Sequence, residues 1–313
     1  MNLVRRYRRP LAWAIALLAL IFLTRVLLDS AAELQRFPLA VEPITLALSF
    51  IALSVPLLLA VPLWWWGLRW LGASLPLADA ARIWFLSNTV RYVPGSIWQP
   101  VTMLVLAKER GVDEVRTGAS VALNWILSNL SGLLVAGLYW TVDPAAPSRD
   151  RLWLLPLIAL GALLALHPAV LGRALRLALQ ATGRAPVEHN LGFGRLLGLL
   201  VGHCAVWLGY GIAFASFWSA LYPLDWRGLP RLTSVFAGAY AIGFLSLLTP
   251  SGLGVREGAI VYFLSGVYPL AVVTVVALLS RLWLIAGELL CTALVLLLTR
   301  GRKGAGAVRD KHA

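Results

Sequence analysis

Charge is scarce in this chain. Asp, Glu, Lys and Arg make up 13% of its 313 residues, against roughly 25% in an average soluble domain. Apolar residues make up 60%. A soluble globule of this length cannot hide that much apolar surface, because part of any fold must face water. Lipid is the solvent that tolerates it, so a soluble enzyme, a nucleic-acid binder and a secreted scaffold are excluded. Cysteine is equally sparse. Cys204 and Cys291 are the only two, both inside apolar runs, and they form neither a disulfide framework nor a metal-ligand spacing. Buried small hydrophobes are the better reading. The 27 Gly and 17 Pro are too many for a coiled coil and too few for a disordered linker protein.

The acids are the rarer charge, 14 against 27 Lys and Arg, for a net charge of +13. In a soluble protein such an excess would suggest nucleic acid. In a polytopic membrane protein it comes from basic cytoplasmic loops. A helix needs about 20 apolar residues to cross the hydrocarbon core, and the candidate crossings are 11–28, 43–66, 117–141, 152–170, 196–220, 232–249, 256–268 and 270–298. The first follows Arg5, Arg6, Arg8 and Arg9, as a secretory signal would, but the many later spans favour an uncleaved helix. The run 256–268 is too short to cross alone and reads as a half-helix. These crossings put both termini on one side. Most basic residues, from Arg5 through Arg82, Lys108, Arg110 and Arg116 to Arg300, Arg302 and Lys303, then fall inside. Arg36, Arg149, Arg151, Arg227 and Arg231 fall outside, and Arg25, Arg91, Arg256 and Arg281 lie at membrane depth. The expected fold is an all-α polytopic transmembrane bundle of about eight spans. It forms a single domain over 1–313, with a basic cytoplasmic tail at 300–313, in the cytoplasmic (inner) membrane.

Trp140, Trp153, Trp218 and Trp226 fall near the proposed outer boundary, and Trp64 to Trp66 and Trp70 near the inner one, as amphipathic rings would. Gly194, Gly198 and Gly202 form a small-residue seam suited to close helix packing. Pro56, Pro62, Pro156 and Pro168 interrupt or bound helices.

Two segments carry the chemistry. Residues 87–99 read S-N-T-V-R-Y-V-P-G-S-I-W-Q. Pro94 and Gly95 stop a helix, and the apolar pieces on either side are each too short to span. A re-entrant hairpin near 83–107 follows, entering and leaving from the inner side. Residues 249–258 read T-P-S-G-L-G-V-R-E-G and break one apolar run before opening the next. Irregular backbone at membrane depth is costly unless it lines a cavity or is buried in protein, and transporters use such breaks to aim half-helix ends at a bound ion or anionic group.

Each break carries an arginine, Arg91 and Arg256. Gly95, Ser96, Ser251, Gly252 and Gly254 leave backbone N–H groups accessible to an anion, and Arg adds a charge-assisted clamp. In a membrane the natural ligand is a phosphate headgroup. Glu257 suits a helix start and is placed to neutralise Arg256 or Arg91, or to titrate. The expected substrate-binding set is therefore Arg91, Pro94, Gly95, Ser96, Ser251, Gly252, Gly254, Arg256 and Glu257. Asn88, Arg281 and Glu288 are secondary polar sites, the last two seven apart on one helix face. Asn124, Asn129 and His203 read as polar lining or interhelical hydrogen-bond partners. The competing explanation is that Gly and Pro turn the chain and an Arg–Glu pair locks two hairpins together.

With those motifs in hand, the chain resembles the lysylphosphatidylglycerol synthase transmembrane-region family of flippase-like membrane proteins. P-S-G-L-G-V-R-E-G-A-I at 250–260 is similar to that family's signature. R-Y-V-P-G-S-I-W at 91–98 is similar to the Pro-Gly segment upstream of it. The resemblance implies a lipid-translocating module. The aminoacyltransferase domain of two-domain members is not found in these 313 residues, so the synthase reaction is not expected of them.

The expected function is translocation of a phospholipid or lipid-linked anionic headgroup. The alternative is a membrane-embedded enzyme or accessory subunit in lipid or polyprenyl-linked glycan metabolism. Against the enzyme stand the absence of a metal triad, a nucleophile elbow and a paired-carboxylate motif; His167, His189, His203 and His312 are scattered. No P-loop occurs, so no ATPase is expected. No cofactor and no metal is expected, and catalytic residues are none. The partners implied are the membrane, an anionic lipid or lipid-linked substrate, and a second copy or a lipid-modifying enzyme, but no nucleic acid.

Overall fold

The computed structural model describes residues 41–92, 98–142, 191–245, 252 and 254–300, with a few isolated positions between 161 and 173. The expected spans 11–28 and 152–170, the tail beyond Arg300, and Arg25, Pro94, Gly95, Ser96 and Ser251 lie outside the described residues or within their few isolated positions.

The described chain is all-helical. α1 is Pro43–Trp70, α2 Leu77–Thr89, α3 Trp98–Lys108, α4 Glu114–Val142, α5 Phe193–Ser219, α6 Leu229–Leu245, α7 Val255–Leu264 and α8 Leu270–Thr299. Four of these, α1, α4, α5 and α8, are long and apolar enough to cross a membrane. Their apolar residues face both ways. On α1, Leu53, Leu57, Val61 and Leu68 are buried, while Ile44, Leu48, Ile51 and Val55 form an exposed stripe. A helix apolar all round belongs in a core or a bilayer, and the exposed stripe leaves the bilayer.

Contacts at the helix ends fix how the elements run. At one end of the bundle Arg116 on α4 donates to the Gly72 carbonyl just after α1. The Arg195 guanidinium on α5 lies 5.5 Å from the centroid of the Trp70 ring, and Arg82 on α2 donates to the Thr299 carbonyl at the end of α8 (3.2 Å). At the other end the Glu42 N–H before α1 donates to the Ala220 carbonyl after α5 (2.9 Å), and Trp218 packs on Tyr268 between α7 and α8, ring centroids 4.6 Å apart. So α1 and α8 run one way and α4 and α5 the other. The first end, called the basic end below, holds Arg69, Arg82, Lys108, Arg110, Arg116, Arg195 and Arg300; the opposite end holds Arg227 and Arg231.

The short helices form two hairpins. α2 and α3 fold back on each other. The Asp79–Arg110 ion pair ties their outer ends, and Gln99 donates to the Asn88 amide oxygen near the turn (2.7 Å). α6 and α7 do the same from the opposite end. Gly228, just before α6, lies beside the Tyr268 hydroxyl, just after α7, while Gly243 meets Gly252 and Arg256 at the turn. The runs expected at 232–249 and 256–268 are therefore the two arms of one hairpin whose outer ends adjoin, and Gly252 and Gly254, ahead of the second arm, take left-handed φ values of 66° and 81°. Eight spans are not reached among the described residues.

Three buried indole N–H groups find partners across helices, as suits an interior without water, while that of Trp218 has none among the described residues. Trp64 donates to Ser120 (3.0 Å), Trp283 to Ser49 (3.0 Å) and Trp207 to the Ser128 carbonyl (2.9 Å). Trp64 and Trp218, expected at the boundaries, are core residues, whereas Trp66 and Trp226 are exposed. α1 runs unbroken through Pro56 and Pro62. The glycine seam is only partly a packing seam. Gly194 and Gly198 face open space, and Gly202 alone of the three packs against Leu63 of α1. Gly209 continues that contact, touching Pro56.

Candidate functional site

The inner ends of the two hairpins' helices meet at a cavity of about 490 Å³. α2 and the turn after it contribute Asn88 and Arg91, α3 contributes Gln99, the second hairpin contributes Tyr240, Gly252 and Arg256, and α8 contributes Arg281. α4 lines it with Gly118, Val121, Ala122, Trp125, Ser128 and Asn129, and α5 with His203, Val206, Trp207 and Tyr210. Both sets follow the i, i+3, i+4, i+7 spacing of one helix face. At 1.5 Å per residue the α4 face carries the cavity about 16 Å, from near the basic end to the middle of the bundle. Beyond it, towards the opposite end, aromatic side chains fill the interior. Phe214 meets Phe236 at 4.8 Å between ring centroids and Phe217 meets Trp283 at 4.9 Å.

Arg91 sits in a short 3-10 turn, Val90–Tyr92, that continues α2. Its Nη1 lies 3.4 Å from a Glu288 carboxylate oxygen and donates to the Tyr240 hydroxyl at 3.4 Å. Arg256 lies in the first turn of α7 and is 5% exposed. Its guanidinium packs over the Phe236 ring at 4.6 Å and the Tyr240 ring at 5.8 Å, a cation–π geometry that strengthens when water is excluded. Phe236 and Tyr240 are four residues apart on α6 and present one aromatic face to it. Tyr240 thus touches both arginines, and the two segments singled out from sequence converge on one side chain.

Glu257 is not paired with either of those arginines in the described contacts. One carboxylate oxygen accepts the Gly254 N–H at the start of α7 (2.7 Å), and the other accepts from Arg281 Nη1 (2.9 Å). The carboxylate occupies an N–H that had been expected to serve an anion, because an acid at the third helical position reaches back to the helix start more readily than a ligand can. Glu288, 2% exposed, takes Arg91 instead. Arg281 and Glu288, expected as a secondary pair on one face, therefore share α8 but pair outward, one with each hairpin. Three guanidinium groups and two carboxylates gather here, an excess of one positive charge among the described residues. The neighbouring segments 93–97 and 246–251 contain no acidic residue.

The neutral wall is built from amides and rings. His203 Nδ1 lies 2.8 Å from the Leu199 carbonyl, and its Nε2 lies 3.1 Å from the Asn124 side-chain amide. A ring nitrogen facing a carbonyl must carry the proton. Asn129 donates its amide to the Trp125 carbonyl (2.9 Å), and its buried Oδ1 has no hydrogen-bond partner among the described residues. Trp207 packs edge-on against Tyr240 at 5.0 Å and Trp125 against Phe244 at 5.5 Å.

Of the expected set, Arg91, Gly252 and Arg256 line the cavity together with Asn88 and Arg281; Gly254, Glu257 and Glu288 stand behind that lining as cap and counter-ions. Asn124, Asn129 and His203 are both lining and interhelical partners. Tyr240 and Gln99 were not singled out from sequence. The spacing of Phe236 and Tyr240 on one face, next to a buried arginine, is the signal that would have found the first. No metal-holding group of His, Cys, Asp and Glu occurs among the described residues. A scan of the chain against protein-family models matches none, and a search against curated proteins gives no significant match. The family resemblance therefore rests on the two motif stretches alone.

Proposed function

We propose that the protein is a membrane translocator of a phospholipid or lipid-linked anionic headgroup, a flippase-like module as its two motifs suggest. One observation carries the reading: Arg91 and Arg256, from two hairpins that enter the bundle from opposite ends, reach a common cavity through Tyr240. In this reading both hairpins are re-entrant and arranged in inverted fashion, as transporter half-helices are. The basic end is cytoplasmic by the distribution of Lys and Arg. A charge carried through hydrocarbon costs several kcal/mol or more. A phosphate entering the cavity exchanges water for guanidinium groups, while its tails stay in the bilayer. Arg91 and Arg281 already hold carboxylates, so binding trades one anionic partner for another instead of baring a cation.

The cavity reaches from the basic end to the middle and stops at the aromatic layer of Phe214, Phe217, Phe236 and Trp283. Loading from the cytoplasmic side follows from that shape. Release on the other side needs the aromatic layer to part.

Purified protein in liposomes bearing a fluorescent anionic lipid tests this by the rate at which label crosses to the far leaflet. The expected result is transfer that falls at least about tenfold, or 1.4 kcal/mol in barrier, in Arg91→Ala and Arg256→Ala. Arg91→Lys, with its melting temperature compared to the parent, separates loss of the site from loss of the fold. Parent-level transfer in both alanine variants would sink the site. A new covalent lipid product would favour a membrane-embedded enzyme in lipid or polyprenyl-linked glycan metabolism.

A further inference from the structure

We infer that His203 and Asn124 form a proton-linked switch, through which an anion entering the cavity is bound together with a proton. The inference rests on the translocator reading and adds ion coupling to that same site. His203 is 4% exposed, stands on the cavity wall and is paired with no carboxylate among the described residues. Its two ring nitrogens set the logic. Nδ1 lies 2.8 Å from the Leu199 carbonyl, which only accepts, so Nδ1 carries a hydrogen. Nε2 lies 3.1 Å from Asn124 Oδ1. A carboxamide, unlike a carbonyl, offers an acceptor or a pair of donors on a half-turn of its plane. A neutral ring has a lone pair at Nε2 and takes the amide NH2, leaving Oδ1 to the cavity. A protonated ring donates from Nε2 to Oδ1 and leaves the NH2 to the cavity. Both arrangements keep each ring nitrogen hydrogen-bonded, so the ring changes charge without losing a partner.

Asn124 carries that change to the ligand. It is half-buried and lines the cavity, and its Nδ2 is neither buried nor hydrogen-bonded among the described residues. The charged ring thus offers an anion an N–H donor, and the neutral ring confronts it with an oxygen. The surrounding charges act in the same sense. α1 packs on α5 beside the ring, at Gly202, and its one ionisable group, Arg69, is at the basic end. Glu114 and Arg116 of α4 and Arg195 of α5 are at that end too, and Arg231 of α6 is at the other. Cys204 is adjacent on α5, Tyr210 lies two turns on, and Tyr240 of α6 packs on Trp207. The charged groups that share the cavity with His203 are Arg91, Arg256 and Arg281, with Glu288 beside Arg91 and Glu257 beside Arg281. An anion drawn in among those arginines adds negative charge on the side from which an imidazolium gains. Each of the two, anion and proton, then tightens the other by the same factor. The proton passes from cavity water to Nε2 as the anion enters and returns as it leaves, and no covalent bond of the ligand changes. A pH difference across the membrane therefore fills the site more on its acid side.

Calorimetry of the purified protein in phosphatidylcholine nanodiscs tests this, with dihexanoyl phosphatidylglycerol and inorganic sulfate as probes. Neither probe titrates between about pH 5 and 8, where histidine ordinarily does, so any proton exchanged is the protein's. The heat of binding in two buffers of different ionisation enthalpy gives the number of protons taken up. The expected result is net uptake, with binding at least about fivefold tighter near pH 5.5 than near pH 7.5. Uptake with either probe supports the linkage, and the probe that binds shows whether the anion is a lipid headgroup or a free one. His203→Gln, which takes no proton, is expected to show no uptake and a flat pH profile. Asn124→Leu, which has no amide to turn, is expected to shrink the pH dependence, and melting temperatures of both variants are compared with the parent. Binding to the parent that exchanges no proton would overturn the switch, as would equal uptake in the parent and both variants. In either case, loss of binding in Arg91→Ala would leave the translocator reading standing. Binding that ignores Arg91 and Arg256, or no binding of either probe to the parent, would sink both.

Discussion

The two hairpins reach the same cavity by different means. In α2–α3 side chains do the joining: Asp79 meets Arg110 at the outer end, and Asn88 meets Gln99 near the turn. In α6–α7 the backbone does it. Gly243 and Gly252 lie so close that a Cβ on Gly252 would sit 2.8 Å from the Gly243 Cα. The arginines differ accordingly. Arg91 sits beyond the regular helix and reaches Glu288 and Tyr240 with the end of its side chain. Arg256 is held in the first turn of α7 beneath two rings. The cavity thus has one wall set by glycine backbone geometry and another set by exchangeable polar contacts. α8 is tied to both, through Arg281 to the second hairpin and Glu288 to the first.

The sharpest way to break the comparison is at Gly252. Its φ of 66° is left-handed, and its missing Cβ is where the two backbones touch. Gly252→Ala should cost roughly 3 kcal/mol or more from strain and overpacking together, seen as a large fall in melting temperature of the detergent-solubilised protein. An unchanged melting temperature would mean that the second hairpin is not held by its backbone.

The ion pairs to α8 come next. Glu288→Gln leaves Arg91 half-buried without its carboxylate, and Glu257→Gln does the same to Arg281. Breaking a buried pair costs about 3–5 kcal/mol; with both arginines 17% exposed, about 2 kcal/mol is the expected size. Hydrogen exchange should then rise in α2–α3 for Glu288→Gln and in α6–α7 for Glu257→Gln. The reverse pattern would dissolve the assignment of one hairpin to each end of α8.

Smaller effects follow at the margins. Asp79→Asn removes a partly exposed pair and should cost less than about 1 kcal/mol, against the much larger cost at Gly252. On α5, Gly198→Ala should stabilise by up to about 1 kcal/mol, since nothing lies within contact distance and Ala is the better helix former, whereas Gly202→Ala should destabilise by pushing Leu63. Smallest of all is Lys108→Ala. A hydrogen bond from the exposed Lys108 ammonium to Glu114 raises its pKa above the ordinary lysine value. On the basic side such a contribution is fully present below about pH 10.4 and is lost as pH climbs through the raised value. The difference in melting temperature between parent and variant is therefore expected to stay constant between pH 6 and 9.

The hairpin around 83–107 was legible because Pro94 and Gly95 divide apolar runs too short to cross. The second break was legible too, but its consequence was not. From composition, 232–249 and 256–268 look like a span and a half-span. That they fold back on each other depends on the close fit of Gly243 against Gly252, a contact that hydropathy does not encode. Glu257 was rightly placed at a helix start, yet its partner proved to be Arg281, because pairing depends on which helix packs alongside. The aromatic belts were read from Trp positions near span ends; Trp64 and Trp218 do lie towards helix ends but are buried against neighbouring helices, which position along the chain does not show.

By itself the sequence determined the solvent, the all-helical class, and the two places where charge and broken backbone coincide. Those follow from local chemistry: apolar surface in excess of what water permits, and residues that cannot continue a helix. Only the tertiary structure decided that Arg91, Arg256 and Arg281 share a cavity, that Tyr240 joins two of them, and that α8 meets one hairpin with a carboxylate and the other with a guanidinium. Such pairings join different helices and are settled by the packing between them, where the closeness of backbones, not the order of residues, chooses the neighbour.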